Sequence, residues 1–221
     1  MESEFIAQGG ILVPKGLDLS GHLYVQCAME VFDGGRIERD EKRGLLNVGG
    51  KKVGAYVGPA KSFVRSWTQF IRNLFYVPSD TPDQYTDDGG VNRFSPILEN
   101  GAGANQGFCA AAADFSFGDS NAAVNSAQSN LQGSILGPTP GVVATVLQED
   151  NVARVFKVES TVLNGGANIT IQEVGLFGHW RDQAVSGQNR RTMLMRDIVN
   201  PGVLVQNGQT ALGRYTFTAA V

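Results

Sequence analysis

The sequence predicts a mainly β protein, an antiparallel sandwich of jelly-roll-like type with one amphipathic α-helix over about residues 59–77 and long loops. Three observations carry this expectation. Period-two alternation recurs, in Leu23, Val25, Cys27, Met29 and Val31, again in Phe156, Val158, Ser160 and Val162, and again in Tyr215, Phe217, Ala219 and Val221. Such alternation gives each strand one apolar face. Turn dipeptides follow or divide these runs at Asp33-Gly34, Asn164-Gly165 and Asn207-Gly208, and such pairs supply the positive φ of a tight hairpin. Glycine is frequent, at 28 of 221 residues, while charged residues make up only 18%. That balance suits a β protein with many turns, or one whose surface is largely covered by neighbours.

In chain order, residues 1–20 read as an extended N-terminal arm. Pro14 removes a backbone donor from Ile11-Leu-Val-Pro14, so Ile11 and Val13 belong to an edge strand or to an arm lying on another subunit. Residues 21–221 read as a single β-rich domain. It opens with a hairpin over 21–48, in which the strand through Leu23 and Val31 turns at Asp33-Gly34-Gly35 and returns through the charged run 36–43 toward Leu45-Leu46. That run alternates in sign and reads as a solvated arm.

The helix opens at Gly58-Pro59, where proline is tolerated because the first turn needs no donor, and Pro78 stops it. Phe63, Trp67, Phe70, Ile71, Leu74 and Phe75 fall on one face, which must dock, most simply on a sheet. Residues 78–141 read as a Gly/Ala/Asn-rich loop region. Within it, the small polar residues 118–130 form a long connection of the kind that is functional or covered, here a candidate for crossing a partner subunit. Residues 142–221 form a C-terminal β module. Its densest stretch is Ile169-Thr-Ile-Gln-Glu-Val-Gly-Leu-Phe177, followed by a polar loop over 179–192, the segment 193–199, and turns at Asn200-Pro201-Gly202 and Asn207-Gly208.

His22 and His179 are the two histidines, and neither has a serine elbow or a metal-spaced partner. Cys27 sits in an apolar alternation and Cys109 lies far away, which favours buried thiol over disulfide for the first. The four aspartates of 79–90 lack the ligand ladder of a calcium loop, and the glycines of 101–107 lack the setting of a nucleotide loop. No catalytic residue, cofactor or metal is therefore expected, and the protein is expected not to be an enzyme. With a net charge of −3 and mixed signs, no nucleic-acid partner is expected. No apolar run is long enough to span a bilayer, so no membrane partner is expected. The acidic start Met1-Glu-Ser-Glu is unlike a secretory signal, pointing to a cytosolic site of synthesis or release by lysis. One polar residue stands out. Glu173 is surrounded by Ile171, Val174, Leu176 and Phe177, and a buried carboxylate needs a partner. Arg196, in the next strand, is expected to pair with it across the sheet and to set its register.

The chain resembles structural proteins of tailed-bacteriophage virions. The resemblance runs through Phe115-Ser-Phe-Gly-Asp-Ser120, a polar spacer to Leu131, Val155-Phe-Lys-Val-Glu159, Ile169 to Gly178, Met193-Leu-Met-Arg-Asp-Ile-Val199 and the closing strand after Asn207-Gly208. The N-terminal half adds Val31-Phe-Asp-Gly-Gly35 and Ser62-Phe-Val-Arg-Ser-Trp-Thr-Gln-Phe-Ile71, while residues 78–114 are longer and richer in Gly and Ala than the pattern. It implies a non-enzymatic fibre, collar, neck or tail-accessory component, with capsid decoration or cement as the alternative. The protein would form homo-oligomers, contact other virion proteins, and reside in a virion assembled in the host cytoplasm. Structural or interface roles then fall to Glu173, Arg196, Phe177, Trp67, Phe70, Ile11 and Val13. A host-surface or carbohydrate-binding module, with Trp180 and Tyr85 as stacking platform, is the alternative from another class.

Overall fold

The alternating apolar runs form strands that pair antiparallel throughout. The computed structural model describes residues 5–8, 11–14, 23–39, 46–60, 84–87, 89–94, 115–125, 127–133, 135–136, 144–149, 153–182 and 188–220. Its strands are β1 (Phe5–Gln8), β2 (Ile11–Pro14), β3 (Leu23–Asp33), β4 (Ile37–Arg39), β5 (Leu46–Val48), β6 (Lys51–Pro59), β7 (Gln84–Thr86) and β8 (Asn92–Phe94). They continue with β9 (Phe115–Gly118), β10 (Ile135–Leu136), β11 (Ala144–Glu149), β12 (Ala153–Leu163), β13 (Ile169–Asp182), β14 (Gln188–Val205) and β15 (Gln209–Ala220). No helix occurs among the described residues. The expected helix, with Trp67 and Phe70, lies outside them except at its start, where Pro59 is instead the last residue of β6, opposite Gln26. An edge strand tolerates a proline because its outer side needs no donor.

A five-stranded sheet runs β11-β12-β15-β3-β6 and a four-stranded sheet runs β10-β9-β13-β14, with β1-β2, β4-β5 and β7-β8 as separate two-stranded ribbons. The two larger sheets share one apolar core. Val25, Cys27, Met29 and Val31 from β3, Val158 and Val162 from β12, and Tyr215 and Phe217 from β15 meet Phe115 and Phe117 from β9. Ile171, Val174 and Leu176 from β13 and Met195, Val199, Val203 and Val205 from β14 complete it. Period two thus translates directly into burial. The contact is tightest at Gly213, where an added Cβ would lie 2.5 Å from Phe115 Cε1 and 2.6 Å from Phe117 Cε1. Phe115 also stands 5.1 Å, centroid to centroid, from Tyr215, a tilted aromatic arrangement that adds to simple burial. At one corner the edge strands β6 and β14 approach, and Tyr56 Oη donates to Ile198 O at 3.3 Å.

Four readings of the sequence change here. The strand returning from β3 is β6, paired from Gln26↔Pro59 to Asp33↔Lys51, rather than the charged run 36–43. Between them, Ile37–Arg39 and Leu46–Val48 form the β4-β5 ribbon, whose Leu46 and Val48 bury against Leu212 and Phe32 on the outer face of the five-stranded sheet. That burial outweighs simple chain reversal, while Gly34, at φ 56°, still makes the first turn. The stretch 78–141 contains β7 to β10, and all four residues of β9 are buried. The polar segment 179–192 is mostly strand, with β13 reaching Asp182 and β14 starting at Gln188. Finally, Asn200-Pro201-Gly202 lies inside β14 and not in a turn between strands. The register jumps from Ile171↔Val203 to Glu173↔Ile198, so the proline falls where the ladder is already interrupted and no donor is missed. Asn207-Gly208 does turn the chain, with Gly208 at φ 81°.

Candidate functional site

Glu173 and Arg196 meet on the outer face of the four-stranded sheet. They sit two pairs apart along the β13-β14 ladder, Glu173 opposite Ile198 and Arg196 opposite Gly175, so they share a face and the pair is diagonal. Arg196 Nε lies 2.5 Å from Glu173 Oε2, and both side chains are wholly buried. Glycines make the floor. A Cβ at Gly118, the β9 residue opposite Glu173, would lie 2.4 Å from Glu173 Oε1. A Cβ at Gly175 would lie 2.8 Å from Leu131 Cδ2.

The pair closes on the polar segment 119–133. Arg196 Nη1 donates to Ala122 O at 2.9 Å, Ala123 O at 3.4 Å and Gln128 Oε1 at 3.2 Å. Glu173 accepts from the Gly133 amide at 2.6 Å and from the Gln132 amide at 3.1 and 3.2 Å. Arg196 Nη2 is buried without a hydrogen-bond partner. Short side chains shape the segment itself, with Ser120 Oγ accepting from the Ala122 amide and Asn125 Oδ1 from the Ala127 amide, as such residues do in turns. Beneath it Leu131 packs with Phe177 and Met193. The segment expected to cross a partner subunit is thus strapped to its own sheet. The physical reason is that a buried carboxylate and guanidinium each need more acceptors and donors than the other can supply, and loop backbone supplies them.

A second device of the same kind went unread in the sequence. Glu159, fully buried, is bonded to Arg214 directly opposite on β15, and its Oε2 accepts from the Leu46 amide at 2.7 Å. It holds the β4-β5 ribbon as Glu173 holds the strap. The signal was present in Glu159, whose strand position matches that of Arg214 once β12 and β15 pair, but the pairing is not legible locally.

A third polar group lies within the core. Tyr215 Oη donates to Asp197 Oδ2 at 3.0 Å, both residues being buried. Burial first, and then the neighbouring Asp197 carboxylate, pushes the Cys27 thiol and the Tyr215 phenol well above their ordinary values of 9.0 and 10.0. Both therefore keep their protons in the folded chain at pH values where the unfolded chain has lost them. The sign follows: their contribution to stability is complete below about pH 9 and is lost as the pH rises further, by about a factor of ten in the folding equilibrium per pH unit and per group. Urea denaturation between pH 8 and 11 is expected to show this decline, and Cys27→Ala to make it shallower.

The remaining residues singled out from sequence are dispersed. Ile11 and Val13 lie in β2, opposite Gln8 and Ile6. His179 stands in β13 opposite Arg191 rather than in a loop. Tyr85 is in β7 and Trp180 in β13, in different sheets, so the strands do not pair the two proposed stacking residues. Asp87 Oδ1 accepts from the Val91 amide at 2.8 Å and so caps the β7-β8 turn. His22, Cys109 and residues 101–107 lie outside the described residues. Among the described residues no three His, Cys, Asp or Glu side chains gather in a way that could hold a metal ion, and no helix is long and apolar enough to cross a membrane. Comparisons of the chain with protein-family models, with curated proteins and with solved structures find no match.

Proposed function

We propose that this chain is a non-enzymatic structural component of a tailed-phage virion, placed at the neck, collar or tail and assembled by packing and strand pairing between subunits. In this reading the two larger sheets are the halves of a β-sandwich of jelly-roll-like type. The observation that carries the proposal is the layout of the C-terminal half. The segments in which the chain resembles virion proteins coincide with β9, β12, β13, β14 and β15, which contribute most of the core. The resemblance therefore falls on residues that build the fold and not on scattered surface positions. The use made of buried charge supports the same reading. Glu173 and Glu159 are each committed to an arginine and to backbone amides, an arrangement suited to holding segments in place.

The test is location. Particles purified from a lysate in which the chain is made, labelled with antibody against it, are expected to carry label at the neck or tail. Label spread evenly over the shell would assign it to capsid decoration instead, and particles free of the chain would overturn the virion reading.

A further inference from the structure

The five-stranded sheet ends on β6, which pairs with β3 alone among the described residues. The Ala60 amide donates to Val25 O at 2.9 Å, and the ladder runs back from there through Cys27↔Gly58, Met29↔Tyr56 and Val31↔Gly54. Backbone groups alternate in direction along an antiparallel strand. Gly58, Tyr56 and Gly54 therefore bond to β3, and the N–H and C=O groups of Val57 and Ala55 point away from it. Side chains alternate in the same step. Tyr56 turns inward, its Oη donating to Ile198 O. Val53, Ala55 and Val57 are exposed on the other face, Val53 at 44% and Val57 at 38%.

An unpaired edge is a template for another strand. The usual devices against such pairing stand only at the ends of β6. Lys51 and Lys52 lie at one end with a register shift beside them, and Pro59 lies at the other. The middle, Val53–Val57, carries none, and that distribution selects the partner. A second β6, antiparallel about a two-fold axis at Ala55, sets the outward groups of Ala55 against those of Ala55 of the second copy. Val53 then lies opposite Val57 of the second copy. Lys51 and Lys52 meet Pro59 and Gly58 of the second copy, away from its lysines. An axis at Val57 would instead place Pro59, which has no N–H, opposite Ala55. An axis at Val53 would set Lys52 of the two copies diagonally within two rungs, where like charges repel. We propose that β6 pairs with β6 of a second copy in the register centred on Ala55, joining the two five-stranded sheets into one. This rests on the strand-pairing assembly proposed above and names the edge that carries it.

Sedimentation velocity on the full chain tests it, over a loading series from about 5 to about 500 µM, which suits so small an interface. The chain is expected to pass from monomer to dimer across the series, with little response to salt because main-chain hydrogen bonds carry the contact. V53K/V57K sets like charges opposite each other on two rungs and is expected to associate at least tenfold more weakly. V53E/V57K alters the same two exposed positions but sets unlike charges opposite each other. It is expected to associate as the parent does and to become salt-sensitive. Circular dichroism checks folding, and Val57→Lys alone replaces V53K/V57K should that variant misfold. A parent chain monomeric throughout, or two double variants that behave alike, would overturn the proposal. So would association that survives V53K/V57K and is abolished by deleting residues 1–20, which assigns the contact to the N-terminal arm. If particles carry the chain yet V53K/V57K dimerises as the parent does, the β6 pairing alone fails; if β6 pairs as expected and particles lack the chain, the virion reading alone fails.

Discussion

Arg196→Ala is expected to lower stability by about 3–5 kcal/mol, the scale for removing one partner of a buried ion pair. The substitution leaves Glu173 wholly buried with amide donors alone and no compensating cation. It also removes the donor to Ala122 O, Ala123 O and Gln128 Oε1, so one end of the strap is released along with the charge balance. Urea denaturation gives the loss, and hydrogen exchange over 119–133 should show the strap opening at lower free energy than the strands beneath. The double variant Glu173→Leu/Arg196→Met separates the two effects. Replacing a buried pair by apolar residues of similar volume is often neutral, so most of the global stability should return. Strap protection should not, because the Gln132 and Gly133 amides lose their acceptor. Equal recovery of both would show that the pair does not hold the segment.

Phe117→Ala is expected to cost about 3–5 kcal/mol, through lost transfer energy and an unfilled cavity. Phe117 is fully buried in the middle of β9, opposite Val174 on one side and Leu136 on the other, and its ring reaches the opposing sheet at Gly213. Gly213→Ala attacks the same contact from the other side, with an expected loss of about 1–3 kcal/mol by overpacking. Because the ring and the glycine share one volume, Phe117→Leu combined with Gly213→Ala should cost less than the sum of the two singles. Thermal and urea denaturation of the four chains would measure this coupling. Strict additivity would mean that the two sheets do not close on each other there.

The two cases differ in how far they could be read beforehand. The alternation through Val25, Cys27, Met29 and Val31 and through Tyr215 and Phe217 is a local property, and it correctly marks strands and their inner faces. Glu173 was conspicuous because its neighbours are apolar, and the adjacent strand supplied Arg196 within a short stretch of chain. Gly213 was silent, since a glycine in a strand has the same local appearance whether a ring lies over it or water does. Glu159 and Arg214 were silent for a related reason, being 55 residues apart and joined only by the β12-β15 pairing. The return strand from β3 was misplaced because a hairpin signal names a turn and leaves the partner open. The charged residues 36–43 were nearest in sequence, but β6 is the partner of β3.

By itself, then, the sequence determined that this is a β protein, where most strands of the C-terminal half run, and that a carboxylate in β13 requires a cation. Side-chain periodicity and the desolvation cost of charge are set by neighbouring residues, so both are legible locally. The tertiary structure alone decided that the small polar segment 119–133 closes over its own sheet, and that β9 is a central strand in a stretch that reads as loop. Each of these depends on contacts between residues distant in the chain, where burial gained elsewhere outweighs local preference.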